Sequence, residues 1–204
     1  MITYRPDFGL WWPDYDHKPE KCWNKVRLQM HAMDATIAAS RGFDLCIQAG
    51  GHAGMWPEQL AWVYKRVITF EPEPALFACM EKNLAGRANI EMHRKALGRS
   101  DGEVMMLPHV SAGSWRVSEG GTVPVQQTTI DGLDLPACDA IILDIEGGEP
   151  EALAGALKTI KKFRPILHLE VLHRADDTLP KMVRDLGYDF WFQVHNDHIF
   201  KPRV

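Results

Sequence analysis

The sequence predicts an α/β fold, a mostly parallel sheet with helices on both faces, and three observations carry that prediction. An apolar run, Leu45-Cys46-Ile47-Gln48-Ala49, enters the glycine-rich turn Gly50-Gly51-His52-Ala53-Gly54. About 20 residues after the first glycine a second run, Val67-Ile68-Thr69-Phe70, ends in Glu71. Strand-like and helix-like segments then alternate through the middle of the chain, the order that a parallel sheet with crossover helices requires. Near the end, two strand-like runs flank the turn sequence His195-Asn196-Asp197, so a terminal antiparallel hairpin completes a sheet of seven strands.

Residues 1–17 contain Phe8-Gly9-Leu10-Trp11-Trp12-Pro13 and show neither a helical nor a strand period. Adjacent tryptophans must cover something apolar, so the segment reads as a strap packed on the rest, with a lid or pocket wall as the alternative. Pro19 to Arg41 reads as a helix because Trp23, Val26, Met30, Met33 and Ile37 recur at intervals of three and four, and Gly42 is placed to be its C-cap. The alternation follows: strand Asp44–Ala49, helix Met55–Tyr64, strand Arg66–Phe70, helix Pro74–Leu84, and a strand within Ile90–Ala96. Gly98 to Pro124 is polar and glycine-bearing, with strand-like pieces at Val104–Leu107 and Val123–Gln127. It is too long for a plain connection and is expected to be a β-hairpin insertion near the site. Ala140–Asp144 is apolar enough for the centre of a parallel sheet. Helix Pro150–Lys162, strand Pro165–Val171, helix Thr178–Leu186 and strands Tyr188–Val194 and His198–Lys201 complete the order. The chain thus divides into an N-terminal arm and helix, 1–42, and a main domain, 43–204, carrying the insertion at about 98–124.

Composition narrows the function classes. With 204 residues, 46% hydrophobic and 25% charged, the chain fits one domain with a sizeable core. A net charge of −4 gives no electrostatic case for a nucleic-acid partner. No apolar run approaches the roughly 20 residues of a membrane span, and the opening residues lack the basic and apolar regions of a signal peptide. The four cysteines are scattered with no C-x-x-C pair. A soluble protein of a reducing, cytoplasmic compartment is expected. In the glycine-rich turn the backbone can approach a ligand closely, the following helix start offers N–H groups, and Glu71 can accept from two ribose hydroxyls. That is the layout of an adenosine-binding crevice. The spacing Gly50-Gly51-His52-Ala53-Gly54 is not G-x-G-x-x-G, which disfavours a nicotinamide-dependent oxidoreductase.

The segments become specific when taken in order. Gln48-Ala49-Gly50-Gly51-His52-Ala53-Gly54, Phe70-Glu71-Pro72, Arg94-Lys95-Ala96-Leu97-Gly98, Thr128-Thr129-Ile130-Asp131, Asp144-Ile145-Glu146-Gly147-Gly148-Glu149 and Arg164-Pro165-Ile166-Leu167-His168-Leu169-Glu170-Val171 occur in one sequence. Over roughly residues 43–172 the chain resembles the FkbM-type methyltransferases, which use S-adenosylmethionine on a Rossmann-like class I methyltransferase sheet. The resemblance implies transfer of a methyl group to a hydroxyl of a small molecule, sugar or glycan. It places Gly50, Gly51 and Gly54 along the cofactor's methionine and ribose, with Gln48 and His52 in the same motif. Glu71, with Pro72, falls on the ribose hydroxyls, Ala96 and Leu97 on the adenine, and Asp144 near the methionine end. Three positions depart from the family pattern: Gln48 stands where an acidic residue is usual, His52 where Asn is usual, and Leu143 where Lys is common. Gln48 and the Trp11-Trp12 arm motivate the alternative of a catalytically degenerate cofactor-binding or interaction module.

A hydroxyl nucleophile must lose its proton, and the candidate bases near the strand ends are Asp144, Glu146, Glu170, His52 and His173. Glu146 and Glu170 lead, with His173 behind them. Capping of the helix that starts at Pro150 is the structural alternative for Glu146. His168, in mid-strand, reads as a hydrogen-bonded core residue. Asp144, Glu146 and Glu170 could together hold a hard cation, but their spacing is no recognised metal signature and no metal is assigned. Trp12 of the arm and Ser114 and Trp115, beside Arg116 in the insertion tip, are the candidate substrate contacts.

Overall fold

A computed structural model describes residues 1–172 and 177–203. The chain opens with two strands, β1 (Ile2–Arg5) and β2 (Leu10–Pro13), then the long helix α1 (Pro19–Ala39). Next come β3 (Leu45–Ala49), α2 (Met55–Leu60), β4 (Arg66–Phe70), α3 (Pro74–Asn83) and β5 (Ile90–His93). Four short strands follow: β6 (Ala96–Leu97), β7 (Gly102–Leu107), β8 (Arg116–Val117) and β9 (Val123–Thr128). A 3-10 turn at Asp131–Leu133 leads to β10 (Ala140–Leu143), α4 (Glu149–Ala154), α5 (Leu157–Phe163) and β11 (Ile166–Glu170). The chain ends with α6 (Thr178–Asp185), β12 (Tyr188–Val194) and β13 (Asp197–Pro202).

The main sheet has seven strands in the order β12-β13-β11-β10-β3-β4-β5. β11, β10, β3, β4 and β5 run parallel, and β13 is antiparallel to both of its neighbours. From β3 the chain winds outward to β4 and β5, then returns to the other side of β3 with β10 and β11. The winding therefore reverses between β3 and β10, and the crevice beyond their carboxyl ends is where such sheets bind ligands.

Side chains alternate between two apolar layers. Leu45, Ile47, Ile141, Leu143, Leu167 and Leu169 face one layer with Ala152, Leu153, Ile160 and Val183 from α4, α5 and α6. Cys46, Val67, Ala140, Ile142 and Ile166 face the other with Ala32 and Met33 of α1, Leu60 of α2 and Met80 of α3. Burial on both faces is why these strands read as continuous apolar runs. All four cysteines are free thiols. Among the described residues, no helix is long and apolar enough to cross a membrane.

Several boundaries differ from the sequence reading. Residues 1–17 hold an antiparallel hairpin, with Thr3 opposite Trp12 and Tyr4 opposite Trp11. Its dock is remote in sequence. Asn83, at the end of α3, accepts the Trp11 N–H at 2.7 Å and donates to the Trp11 carbonyl at 3.0 Å. Helix α1 ends at Ala39 with Ser40 in extended backbone, so Gly42 takes no part in its cap. The helix expected over Pro150–Lys162 breaks into α4 and α5 at Gly155, where a Cβ would sit 2.0 Å from the Gly98 carbonyl oxygen. The α5 amides of Lys158 and Thr159 donate instead to the Asp131 carboxylate, at 3.0 and 2.8 Å. The insertion is a four-stranded sheet, β6-β9-β7-β8, spanning 96–128 rather than a single hairpin within 98–124. Its two-residue strands β6 and β8 are too short to leave a pattern.

Candidate active site

A cavity of about 1000 Å³ opens at the carboxyl ends of β3, β4 and β10. Gly50, Gly51, His52, Glu71, Pro72, Ala96, Leu97, Asp144, Glu146, Ser114 and Trp115 all line it, so most of the residues singled out in the sequence share this cavity. Gln48, Gly54, Trp12 and Glu170 do not line it. His173 lies outside the described residues.

Gln48 is buried behind the loop, accepting from the Thr69 hydroxyl and donating to the carbonyls of Ala49 and Gly50 at 3.1 and 3.0 Å. A neutral amide suits that place, because it both accepts and donates. Gly50 has φ +82° and its missing Cβ would lie 2.0 Å from the Asp144 carbonyl oxygen, so the end of β10 presses directly on the loop. The N–H groups of the loop are spent internally. Gly50 and Gly51 donate to the Phe70 carbonyl, His52 to Glu71, Ala53 to the His52 ring and Gly54 to the Gly51 carbonyl. A ligand against the loop itself meets bare Cα faces rather than open N–H donors.

Glu71 sits at the end of β4, almost fully buried, with one oxygen accepting the His52 N–H at 2.8 Å and the other the Glu73 N–H at 2.9 Å. Burial pushes its carboxyl up to about 7 against the two N–H bonds, which favour the ionised form. Glu73 caps α3, accepting from Ala75 and Leu76. Burial holds the His52 imidazole neutral, with its pKa lowered to about 4. Its ring packs 5.1 Å from Trp12, and its Nε2 lies 3.6 Å from the Cys22 thiol. Trp12 therefore supports the loop from outside the cavity. The arm reaches the wall one step later, at Tyr15 and Asp16. Asp16 accepts the N–H of Ala112 in the insertion at 2.9 Å, tying the arm to the insertion tip.

Opposite Glu71, three carboxylates gather. One oxygen each of Asp144, Glu146 and Glu170 lies within 4.8 Å of the others. Glu146 has φ +56° and is half-buried on the cavity lining; no side chain caps the start of α4, and Glu149 turns back to accept the Ile145 N–H at 2.8 Å. Lys25 Nζ stands 3.4 Å from both Asp144 and Glu170, and Gln29 donates to Asp144 at 3.3 Å. Burial alone would raise the Asp144 carboxyl, but Lys25, Glu170 and Gln29 outweigh it and hold it below the ordinary range. Burial and the neighbouring Asp144 push Glu170 well up, so it keeps a proton at neutral pH. Burial and Asp144 also raise Glu146. The sequence reading missed Lys25 and Gln29. They lie on a helix whose apolar stripe gave no sign that its other face meets a strand end.

The family model described as the methyltransferase FkbM domain matches residues 48–190. A methyltransferase FkbM of Methylobacillus flagellatus superposes with a TM-score of 0.58 at 19% identity, covering 78% of this chain. The alignment takes in 43% of the Methylobacillus flagellatus chain. An rRNA methylase of Streptococcus thermophilus gives a TM-score of 0.54 at 14% identity over 85% of this chain and 95% of its own. A Streptococcus mutans protein solved in complex with SAH gives 0.52 at 12% identity over 84% and 94%. These likenesses show a shared fold. No curated protein sequence matches the chain.

Proposed function

Because this chain belongs to the FkbM methyltransferase family, we propose that it transfers the methyl group of S-adenosylmethionine to a hydroxyl oxygen of a small molecule or sugar. One observation carries the reading: a buried carboxylate at the end of β4 and a carboxylate cluster at the end of β10 face the same cavity from opposite sides of the sheet's switch point. About 1000 Å³ has room for an adenosine cofactor with a small acceptor beside it. The residues present fit such a cofactor. Glu71 would accept from the ribose hydroxyls, the apolar surfaces of Phe70, Pro72, Ala96 and Leu97 would flank the adenine, and Asp144 would face the positive sulfonium. The SAH bound to the Streptococcus mutans protein of the same fold supports this choice.

When bound, the cofactor supplies a methyl group activated by its positive sulfur. Transfer of that methyl to an acceptor hydroxyl would leave a proton for the protein to take up. Glu146 is the base we assign. It lines the cavity, and burial and the neighbouring Asp144 raise its pKa, which makes its carboxylate a stronger base. Glu170 already holds a proton and lies off the wall. Tyr15 from the arm and Ser114 and Trp115 from the insertion would contact the acceptor and exclude water. Gln48 lies behind the loop, so its neutral side chain removes no charge from the cavity, which favours an active enzyme over a degenerate module. The net charge of −4 favours a small acceptor over a nucleic acid. The four unpaired thiols are consistent with a cytoplasmic setting.

Titration calorimetry with S-adenosylmethionine and S-adenosylhomocysteine, on wild type and Glu71→Ala, tests the cofactor. Labelled-methyl transfer to a panel of hydroxylated acceptors tests the reaction. Binding that the substitution weakens, followed by label on oxygen, is expected. A folded wild type that binds neither ligand overturns the reading.

A further inference from the structure

The span matched by the family model begins at residue 48, and α1 lies wholly before it. Even so, the helix reaches the carboxylate cluster. Lys25 and Gln29 share a face of α1 at i, i+4 spacing, and both donate to the same oxygen, Asp144 Oδ2, at 3.4 and 3.3 Å. Lys25 also reaches Glu170 Oε1 at 3.4 Å, and Gln29 also reaches Asp197 Oδ2 at 3.2 Å. The Gln29 amide is held in turn, because the Trp56 indole N–H donates to its oxygen at 3.4 Å. Asp197 is held by the His168 ring at 3.2 Å, whose other nitrogen pairs with the Thr36 hydroxyl of α1 at 2.9 Å. The chain of contacts begins and ends on α1 and passes through β10, β11 and β13.

We propose that Lys25 and Gln29 are positioning residues of the methyl-transfer site: they fix the Asp144 carboxylate at the end of β10, so that the cavity is complete only with α1 docked. The inference rests on the function proposed above for what Asp144 faces. The physical need is plain. Three carboxylates within 4.8 Å repel one another when ionised. Among the described residues, Lys25 is the cation paired with them. The other titratable groups around Asp144 bring no positive charge: Glu146 and Glu149 are acidic, protonated Glu170 offers Asp144 a hydrogen bond and not a charge, and the Cys22 thiol and His52 ring are kept neutral by burial. Without Lys25, Asp144 would take up a proton or leave its place.

The first test is carboxyl carbon NMR of the full chain without ligand, in wild type, Lys25→Met, Lys25→Arg and Gln29→Leu, with Asp144→Asn to assign the signal. The Asp144 midpoint is expected to rise by at least about one pH unit in Lys25→Met, to rise less in Gln29→Leu, and to return in Lys25→Arg. The second test is calorimetry. In Lys25→Met, affinity for S-adenosylmethionine relative to S-adenosylhomocysteine should fall about tenfold as pH is lowered through the new midpoint, since only the former carries the positive sulfur that Asp144 would face. The ratio should stay flat in wild type. An unmoved Asp144 midpoint, or an equal loss of both ligands at every pH, overturns the proposal. Wild type that binds neither ligand would defeat the proposed function, and the NMR arm would still decide the role of Lys25.

Discussion

Glu71 and Glu146 are carboxylates that line one cavity from opposite sides, and the proposed function gives them different work. Glu71 is pinned by two backbone N–H groups, so its geometry is set before any ligand arrives. Glu71→Ala is expected to weaken binding of both S-adenosylmethionine and S-adenosylhomocysteine by about 1–3 kcal/mol, read by calorimetry. With its carboxyl pushed up to about 7, the ionised form that would accept the ribose hydroxyls in the proposed function grows in as pH rises. Wild-type affinity for both ligands should therefore increase from about pH 6 to about pH 8, and the increase should vanish in the alanine variant. For Glu146, the expectation is the reverse division. Glu146→Gln should lower turnover by about 10²–10⁴-fold while leaving cofactor affinity within a few-fold, since it removes a proton acceptor and not a ribose contact. The acidic residue ending β4 was legible from strand and spacing alone. The buried role of Gln48 was not, because its partner Thr69 comes opposite it only when β3 and β4 pair.

At the scale of elements, the break between α4 and α5 shows a conflict between local preference and packing. Helix propensity favours alanine over glycine by about 1 kcal/mol in a helix interior. Residue 155 would be such a position if the predicted helix ran on. In the fold its Cα lies against the Gly98 backbone, and its carbonyl accepts the Asp131 N–H at 2.9 Å. Gly155→Ala is therefore expected to lower the melting temperature, where propensity alone predicts a rise; thermal unfolding separates the two. The N-terminal hairpin makes the same point. Its strands pack on Leu76 and Cys79 of α3 through Trp12, Ile2 and Leu10, and Asn83 clamps the Trp11 backbone. Strands with both faces covered, such as β3 and β10, were readable, whereas the N-terminal pair β1 and β2 and the two-residue strands β6 and β8 were not.

The whole molecule places several buried carboxylates around one switch point, and this shapes its stability. Glu149 is nearly fully buried and its carboxyl is raised to about 7, chiefly by burial, although the Ile145 N–H opposes the shift. A group whose acidity is weaker in the folded state stabilises the fold below its unfolded value, near 4.5, and that contribution is lost as pH rises to about 7. Glu149→Gln cannot ionise, so its stability relative to wild type should increase between about pH 4.5 and about pH 7, by up to about 3 kcal/mol. Denaturant unfolding at the two ends of that range measures it. A constant difference would show that Glu149 ionises freely in the folded chain.

Hydrophobic period and glycine placement by themselves determined the alternating α/β order, the seven-stranded sheet with its terminal hairpin, the loop after β3 and the acidic end of β4. Each of these is written in neighbouring residues. Only the tertiary structure decided which side chains share the cavity: it removed Gln48, Gly54, Trp12 and Glu170 from the wall and brought in Lys25 from a helix more than a hundred residues before Asp144. The reason is physical. Local periodicity records which face of an element is buried, whereas the meeting of α1 with the ends of β10 and β11 depends on how separate elements pack, and no short stretch of sequence carries that information.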